Sequence, residues 1–132
     1  MTGSGPVEPG ETFELAVTPD RYLPHRYAGA SEDFNPIHVD EEYARGVGLP
    51  GNILHGLYTM GIAARAVMTA AGGDPRVLRR IAVQFRGFGV PEEEIVVRGS
   101  VRAADGAGIV ADLAADQNGR PLIRGGEAVT RS

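Results

Sequence analysis

Apolar and polar residues change their periodicity along the chain, and the first part holds only short segments. The two classes alternate from Phe13 to Val17, which predicts a short strand. The stretch from Leu23 to Ala30 predicts a short helix, because a proline such as Pro24 is tolerated in a first helical turn. Residues 1–11 are rich in Gly and Pro, and we expect them to form a loose N-terminal arm.

The middle of the chain contains its longest apolar segment. Residues from Leu57 to Ala71 are apolar or small with few exceptions, and this pattern predicts a helix that is buried on nearly all sides. Before it, Ser31 to Val39 predicts a loop, since the residue preceding a proline is driven away from helical geometry. A short helix from Asp40 to Ala44, ended by Gly46, is expected between the two.

The last third of the chain favours strands. Asp105-Gly106 and Asn118-Gly119 are dipeptides typical of tight hairpin turns, so the last three strands should form a meander. The predicted strands are Arg80 to Gly87, Ile95 to Ala103, Ile109 to Ala115 and Leu122 to Thr130. One buried helix followed by antiparallel strands indicates an α+β fold in which the sheet wraps around a long central helix. With 132 residues, we expect one domain over residues 1–132.

Composition narrows the possible functions. Hydrophobic residues make up 42% and charged residues 23%, as in ordinary globular domains, so disorder and membrane insertion are disfavoured. A net charge of −4 argues against a nucleic-acid partner. The chain has no cysteine and only three histidines, which excludes thiol catalysis and argues against a metal site. No cofactor is expected. The N-terminus lacks the pattern of a secretory signal, which predicts a cytoplasmic protein.

Asp33 and His38 are the first candidates for chemistry. They lie five residues apart in the predicted loop, flanked by Asn35 and Pro36. If the loop curls, a carboxylate and an imidazole on one water molecule are able to activate it and return a proton. Alternatively, Asp33 or Asn35 simply caps a turn and His38 is a buried, hydrogen-bonded side chain. The spacing alone leaves both interpretations open.

The residues around this pair carry a resemblance. The run from Tyr27 to His38, YAGASEDFNPIH, followed by Ala44, resembles the hydratase motif of the MaoC-like family, the (R)-specific enoyl-CoA hydratases with a hot-dog fold. The resemblance implies that Asp33 and His38 are the catalytic pair and that Asn35 supports the loop or the water. The sequence departs from the motif at Glu32, where glycine is usual. We expect the Glu32 side chain to point to solvent.

His55-Gly56-Leu57 resembles the start of the long helix in the same family. There the backbone N–H of the glycine polarises a thioester carbonyl, which implies that role for Gly56. The free N–H groups and positive dipole end of a helix N-terminus favour an oxygen that gains negative charge. His55 is expected to support the site by capping or packing rather than to take part in the reaction.

The resemblance implies a hydro-lyase that interconverts a 2-enoyl thioester and a 3-hydroxyacyl thioester, with acyl-CoA or acyl carrier protein as the carrier. It also implies pairing of two hot-dog domains, as a homodimer by default or as a heterodimer with a second hot-dog subunit. Two alternatives are a hot-dog acyl thioesterase and a non-catalytic subunit of a heterodimeric dehydratase. The presence of both Asp33 and His38 argues against each of them.

Overall fold

The structure is a computed structural model that describes residues 8–131. Residues 8–11 form a turn that is tied to the sheet, because the Gly10 N–H donates to the Val101 carbonyl at 2.9 Å. The first strand, β1, follows at Thr12–Val17. Gly10 is therefore held by the sheet and is not part of a loose arm. Residues 1–7 of the predicted arm lie outside the described part of the chain.

Five antiparallel strands form one sheet in the order β1-β3-β4-β5-β2. The four later strands are β2 at Leu78–Phe85, β3 at Ile95–Asp105, β4 at Gly108–Gln117 and β5 at Arg120–Thr130. Strands β3, β4 and β5 pair in sequence, which confirms the predicted meander. The remaining strands, β1 and β2, add to opposite sides of this meander and form the two edges of the sheet.

The long helix α4, at Gly56–Ala70, packs against the inner face of the sheet. Its Ala63 and Val67 have no exposed surface, and they belong to one hydrophobic core with Val97 and Ile123 of the sheet. The outer face instead carries ion pairs between strands. Arg102, for example, pairs with Asp112 and with Glu127, each at 2.6 Å. A sheet with one apolar face needs a covering layer, and α4 supplies it. This arrangement confirms the α+β hot-dog fold.

Three short helices connect β1 to α4: α1 at Leu23–Ser31, α2 at Pro36–Val39 and α3 at Glu41–Gly46. The predictions of α1 and α3 are confirmed. The prediction of a loop throughout residues 31–39 is wrong at both ends, because Ser31 ends α1 and α2 forms at the other end. Proline is well suited to a first helical position, and the Asn35 side chain caps the helix. Among residues 8–131, no helix combines the length and apolar character needed to cross a membrane.

Candidate functional site

The segment from Ser31 to Ile37 is curled by hydrogen bonds between side chains and nearby backbone groups. The Ser31 hydroxyl donates to the Tyr27 carbonyl at 2.7 Å and accepts from the Asp33 N–H at 3.3 Å. A carboxylate oxygen of Asp33 accepts from the Asn35 N–H at 3.3 Å, and the Asn35 side chain accepts from the Ile37 N–H at 3.2 Å. Asn35 thus fixes the end of the loop by capping α2.

Glu32 occupies the one left-handed position of this segment. Its φ of 62° and ψ of 21° fall in the region that glycine adopts without steric cost. This explains why the related motif carries glycine here. Glu32 is exposed, as expected for a side chain that points to solvent.

His38 lies in α2 and is only 7% exposed. Its Nδ1 is 2.8 Å from the carbonyl oxygen of Ile53. A carbonyl only accepts hydrogen bonds, so Nδ1 carries a proton whether the ring is neutral or charged. Nε2 is therefore the atom of His38 that is able to take up or release a proton.

His55 precedes α4 and is 2% exposed. Its Nε2–H donates to the backbone carbonyl of Asp33 at 3.0 Å, and its ring stacks on that of His38 with a centroid distance of 3.7 Å. Its Nδ1 is buried and has no hydrogen-bond partner in the described part of the chain. Burial lowers the pKa of His55 below its ordinary value of 6.5, and the nearby His38 acts in the same direction. His55 is thus a neutral ring that connects the two candidate catalytic residues.

Asp33 and His38 converge despite their unfavourable spacing. One carboxylate oxygen of Asp33 and one ring nitrogen each of His38 and His55 lie within 4.8 Å of one another. A water molecule with two hydrogen bonds of about 2.8 Å at a tetrahedral angle spans roughly 4.6 Å between its partners. The separation therefore suits a single shared water.

The same three residues have the composition of a metal site, but their geometry differs from one. The planes of the His38 and His55 rings are inclined by only 19°. Nitrogen lone pairs lie in the ring plane, so those of two stacked rings run side by side and do not converge on one ion. Tetrahedral zinc requires convergent ligands. The arrangement is better suited to proton transfer.

Gly56 begins α4 and lines a cavity of about 250 Å³ together with His38. In the described chain its N–H has no acceptor, as expected for the first residue of a helix. A Cβ atom at this position would lie 3.3 Å from the Phe85 ring, so the close contact favours glycine. The cavity therefore combines a helix N-terminus with a basic nitrogen.

The site brings together all five residues predicted from the sequence: Asp33, Asn35, His38, His55 and Gly56. Asp33 is exposed and lies outside the cavity lining, whereas His38 and Gly56 are part of it.

Thr59 and Phe85 are among the lining residues that the sequence did not identify. A spacing of three residues from Gly56 on a helix was the available signal for Thr59. No comparable signal pointed to Phe85, which comes from β2.

The chain is similar in sequence to proteins named as enoyl-CoA hydratases. The chain is 34% identical to the peroxisomal enoyl-CoA hydratase 2 of Arabidopsis thaliana over 90 residues, which are 67% of the chain and 28% of the relative. It is 30% identical to the enoyl-CoA hydratase ChsH3 of Mycobacterium tuberculosis over 113 residues, 85% of the chain and 37% of the relative. The chain thus spans less than two fifths of either protein's length.

A solved structure of the (R)-hydratase from A. caviae involved in PHA biosynthesis superposes with a TM-score of 0.85 at 21% identity, covering 95% of this chain and 96% of the other. At this level of identity, the likeness supports the fold. Residues 6–113 match the MaoC like domain family, which is most of the chain. The chain therefore belongs to the MaoC-like domain family.

Proposed function

We propose that the chain is a hydratase or dehydratase that interconverts a 2-enoyl thioester and an (R)-3-hydroxyacyl thioester. The observation that carries this proposal is the convergence of Asp33 and His38 within 4.8 Å, beside the unpaired N–H of Gly56. Conjugate addition of water needs a proton acceptor, a proton donor and a stabiliser for the enolate oxygen. The site offers a group for each requirement.

In the direction of hydration, the shared water adds to C3 of the enoyl group as its proton passes to Nε2 of His38. The π electrons move toward the thioester, where the Gly56 N–H and the dipole of α4 stabilise the enolate oxygen. The Asp33 carboxylate orients the water. Protonated His38 then returns a proton to C2, so one water is consumed and no base is left charged. Dehydration follows the same steps in reverse.

The cavity sets a limit on the substrate. Its volume of about 250 Å³ is below that of typical small-molecule pockets, roughly 300–1,000 Å³. It is large enough for the reacting thioester segment but not for a complete acyl-CoA or acyl carrier protein group. The rest of the substrate must extend beyond this cavity. A cytoplasmic location remains a prediction.

Hydration is tested by the loss of conjugated enoyl-thioester absorbance with short, medium and long 2-enoyl-CoA substrates. We expect Asp33→Asn and His38→Gln each to lower kcat/KM by roughly 10²–10⁴-fold, the usual contribution of general acid and base groups. The double variant should have a kcat/KM only slightly below that of the less active single variant, since the two groups act on one water.

Asp105→Asn is a matched control for Asp33→Asn. Both aspartates are exposed, and each accepts a hydrogen bond from the N–H two residues later, Ala107 and Asn35 respectively. Asparagine preserves this bond, so the control should keep full activity. Unchanged hydration in both catalytic variants would contradict the mechanism, and release of free thiol without hydration would indicate a thioesterase.

We also propose that two copies of the chain form a homodimer next to the site. Three exposed apolar side chains adjoin site residues: Phe34 is 60% exposed beside Asp33, while Leu57 at 64% and Phe85 at 49% adjoin Gly56. Phe85 also ends β2, an edge strand with a free side. Exposed apolar groups and an open edge favour association.

Light scattering over a range of concentrations tests this association. We expect a dimer for the wild type and dissociation for Leu57→Arg, which places a charge in the contact. A monomeric wild type would refute the homodimer, and a dimer formed only with a co-expressed second hot-dog protein would identify the heterodimer instead.

A further inference from the structure

The catalytic cavity contains a hydroxyl that the proposed mechanism does not yet use. Of the residues that line it, only His38 and Thr59 have polar side chains; the others are Ile53, Leu54, Gly56, Phe85, Gly87, Phe88, Gly89 and Leu122. Thr59 is 3% exposed. A polar group in an otherwise apolar pocket is the kind of feature that orients a ligand.

Thr59 lies on the same face of α4 as Gly56. The two are three residues apart, which is close to one helical turn. Side chains on a helix lean toward its N-terminus, so a residue covers the turn that precedes its own Cα. The side chain of Thr59 therefore leans over the first turn, where the Gly56 N–H begins the helix.

The hydroxyl of Thr59 has no hydrogen-bond partner among residues 8–131. A threonine inside a helix commonly donates to the carbonyl four residues earlier. Here that carbonyl, of His55, accepts the N–H groups of Tyr58 at 3.1 Å and Thr59 at 3.5 Å. Within the part of the chain that the structure describes, the Thr59 hydroxyl makes no hydrogen bond. Because Thr59 lines the cavity, its hydroxyl is free to donate to a molecule bound there.

We propose that the Thr59 hydroxyl is a second hydrogen-bond donor to the thioester oxygen, acting together with the Gly56 N–H. This inference rests on the proposed hydration of a thioester at the same site. Negative charge develops on this oxygen as water adds, so a preorganised donor stabilises the transition state more than the bound substrate. Thr59 then contributes mainly to kcat.

The test compares Thr59→Val with Thr59→Ser in the full chain. Valine has nearly the same shape and lacks the donor, whereas serine keeps it. We expect Thr59→Val to lower kcat by roughly 10²–10³-fold with a smaller change in KM, as for the loss of one oxyanion donor, and Thr59→Ser to stay within about tenfold of the wild type. Thermal unfolding should show no loss of stability in Thr59→Val, since no internal hydrogen bond is removed.

A second measurement does not depend on turnover. Hexa-2,4-dienoyl-CoA absorbs at longer wavelength when its thioester carbonyl is polarised, so the red shift on binding reports the donors directly. We expect a smaller shift in Thr59→Val than in the wild type and Thr59→Ser. Equal red shifts and equal kcat in the wild type and Thr59→Val would overturn the role of Thr59. Equal losses of kcat and of the red shift in Thr59→Val and Thr59→Ser would also overturn it.

The two proposals fail in different ways. A wild type that shifts the dienoyl absorbance in a Thr59-dependent manner, yet hydrates no enoyl-CoA, would retain the donor and refute the hydratase. A wild type that produces neither hydration nor a shift would refute both.

Discussion

The loop that carries Asp33 and the helix that begins at Gly56 meet at the same site, yet different interactions hold them. The loop is exposed at Asp33 and is shaped by short polar side chains, such as Ser31 and Asn35, that accept hydrogen bonds from backbone N–H groups. The helix α4 depends on burial, with Ile62 only 4% exposed in the core. Loss of an acceptor should therefore disturb the loop, and loss of apolar volume should disturb the helix.

The largest effect is expected for the helix. Ile62→Ala removes buried methyl and methylene groups and leaves a cavity, which should lower the free energy of unfolding by about 2–5 kcal/mol. Ile62→Val should cost about 0.5–1.5 kcal/mol. Urea denaturation at one fixed protein concentration measures both, because association also changes apparent stability.

Thr69→Ala, at an exposed position of α4, is the control and should change stability by less than about 0.5 kcal/mol. If Thr69→Ala lowers the free energy of unfolding as much as Ile62→Ala does, burial is not what holds α4 in place.

The same difference explains how far the sequence was informative. The long run of apolar residues from 57 to 71 predicts α4 because burial leaves a periodic pattern. The strands were predicted for the same reason, but their ends differ by up to two residues, and Gly87 lies beyond the end of β2. The motif likewise pointed to Asp33 and His38 as candidates, and the structure places them close together. The sequence did not reveal the contacts that orient them: His38 donates to the carbonyl of Ile53, and His55 donates to that of Asp33, 22 residues away. Bonds to a distant backbone carbonyl leave no residue pattern, so they become visible only after folding.

A smaller effect is expected where the loop enters α2. Asn35→Ala removes the side-chain acceptor of the Ile37 N–H and should lower the free energy of unfolding by about 1 kcal/mol. It should also lower kcat/KM, because α2 carries His38. Asn35→Asp keeps an acceptor and should restore most of the stability.

Asp40→Ala is the comparison for activity. It removes an equivalent cap from α3, whose Tyr43 N–H is bonded to Asp40 at 3.1 Å, and no candidate catalytic residue lies in that helix. Equal losses of kcat/KM in Asn35→Ala and Asp40→Ala would show that Asn35 contributes only stability.

A gain of stability is expected at Glu32. A residue with a side chain in the left-handed conformation costs roughly 1–2 kcal/mol. Glycine avoids this strain but loses more chain entropy on folding. Glu32→Gly should therefore raise the free energy of unfolding by about 0.5–1 kcal/mol. Glu32→Ala keeps the Cβ atom and removes the charge. Thermal unfolding should show a higher Tm for the glycine variant alone, and an equal rise in the alanine variant would attribute the gain to charge.

The smallest expected effect is the pH dependence of stability at His55, whose ring connects the loop of Asp33 to the start of α4. The pKa of His55 is lowered in the folded state, so the unfolded chain binds more protons as the pH falls below 6.5. The neutral ring therefore contributes stability that is present above pH 6.5 and is lost progressively at lower pH. His55→Phe retains an aromatic ring against His38 but does not titrate. Its free energy of unfolding, measured in urea between about pH 5 and 7, should fall less steeply than that of the wild type. The loss of the hydrogen bond to Asp33 adds an offset that is the same at every pH, so parallel curves for the two proteins would show that His55 does not couple protonation to the stability of the site.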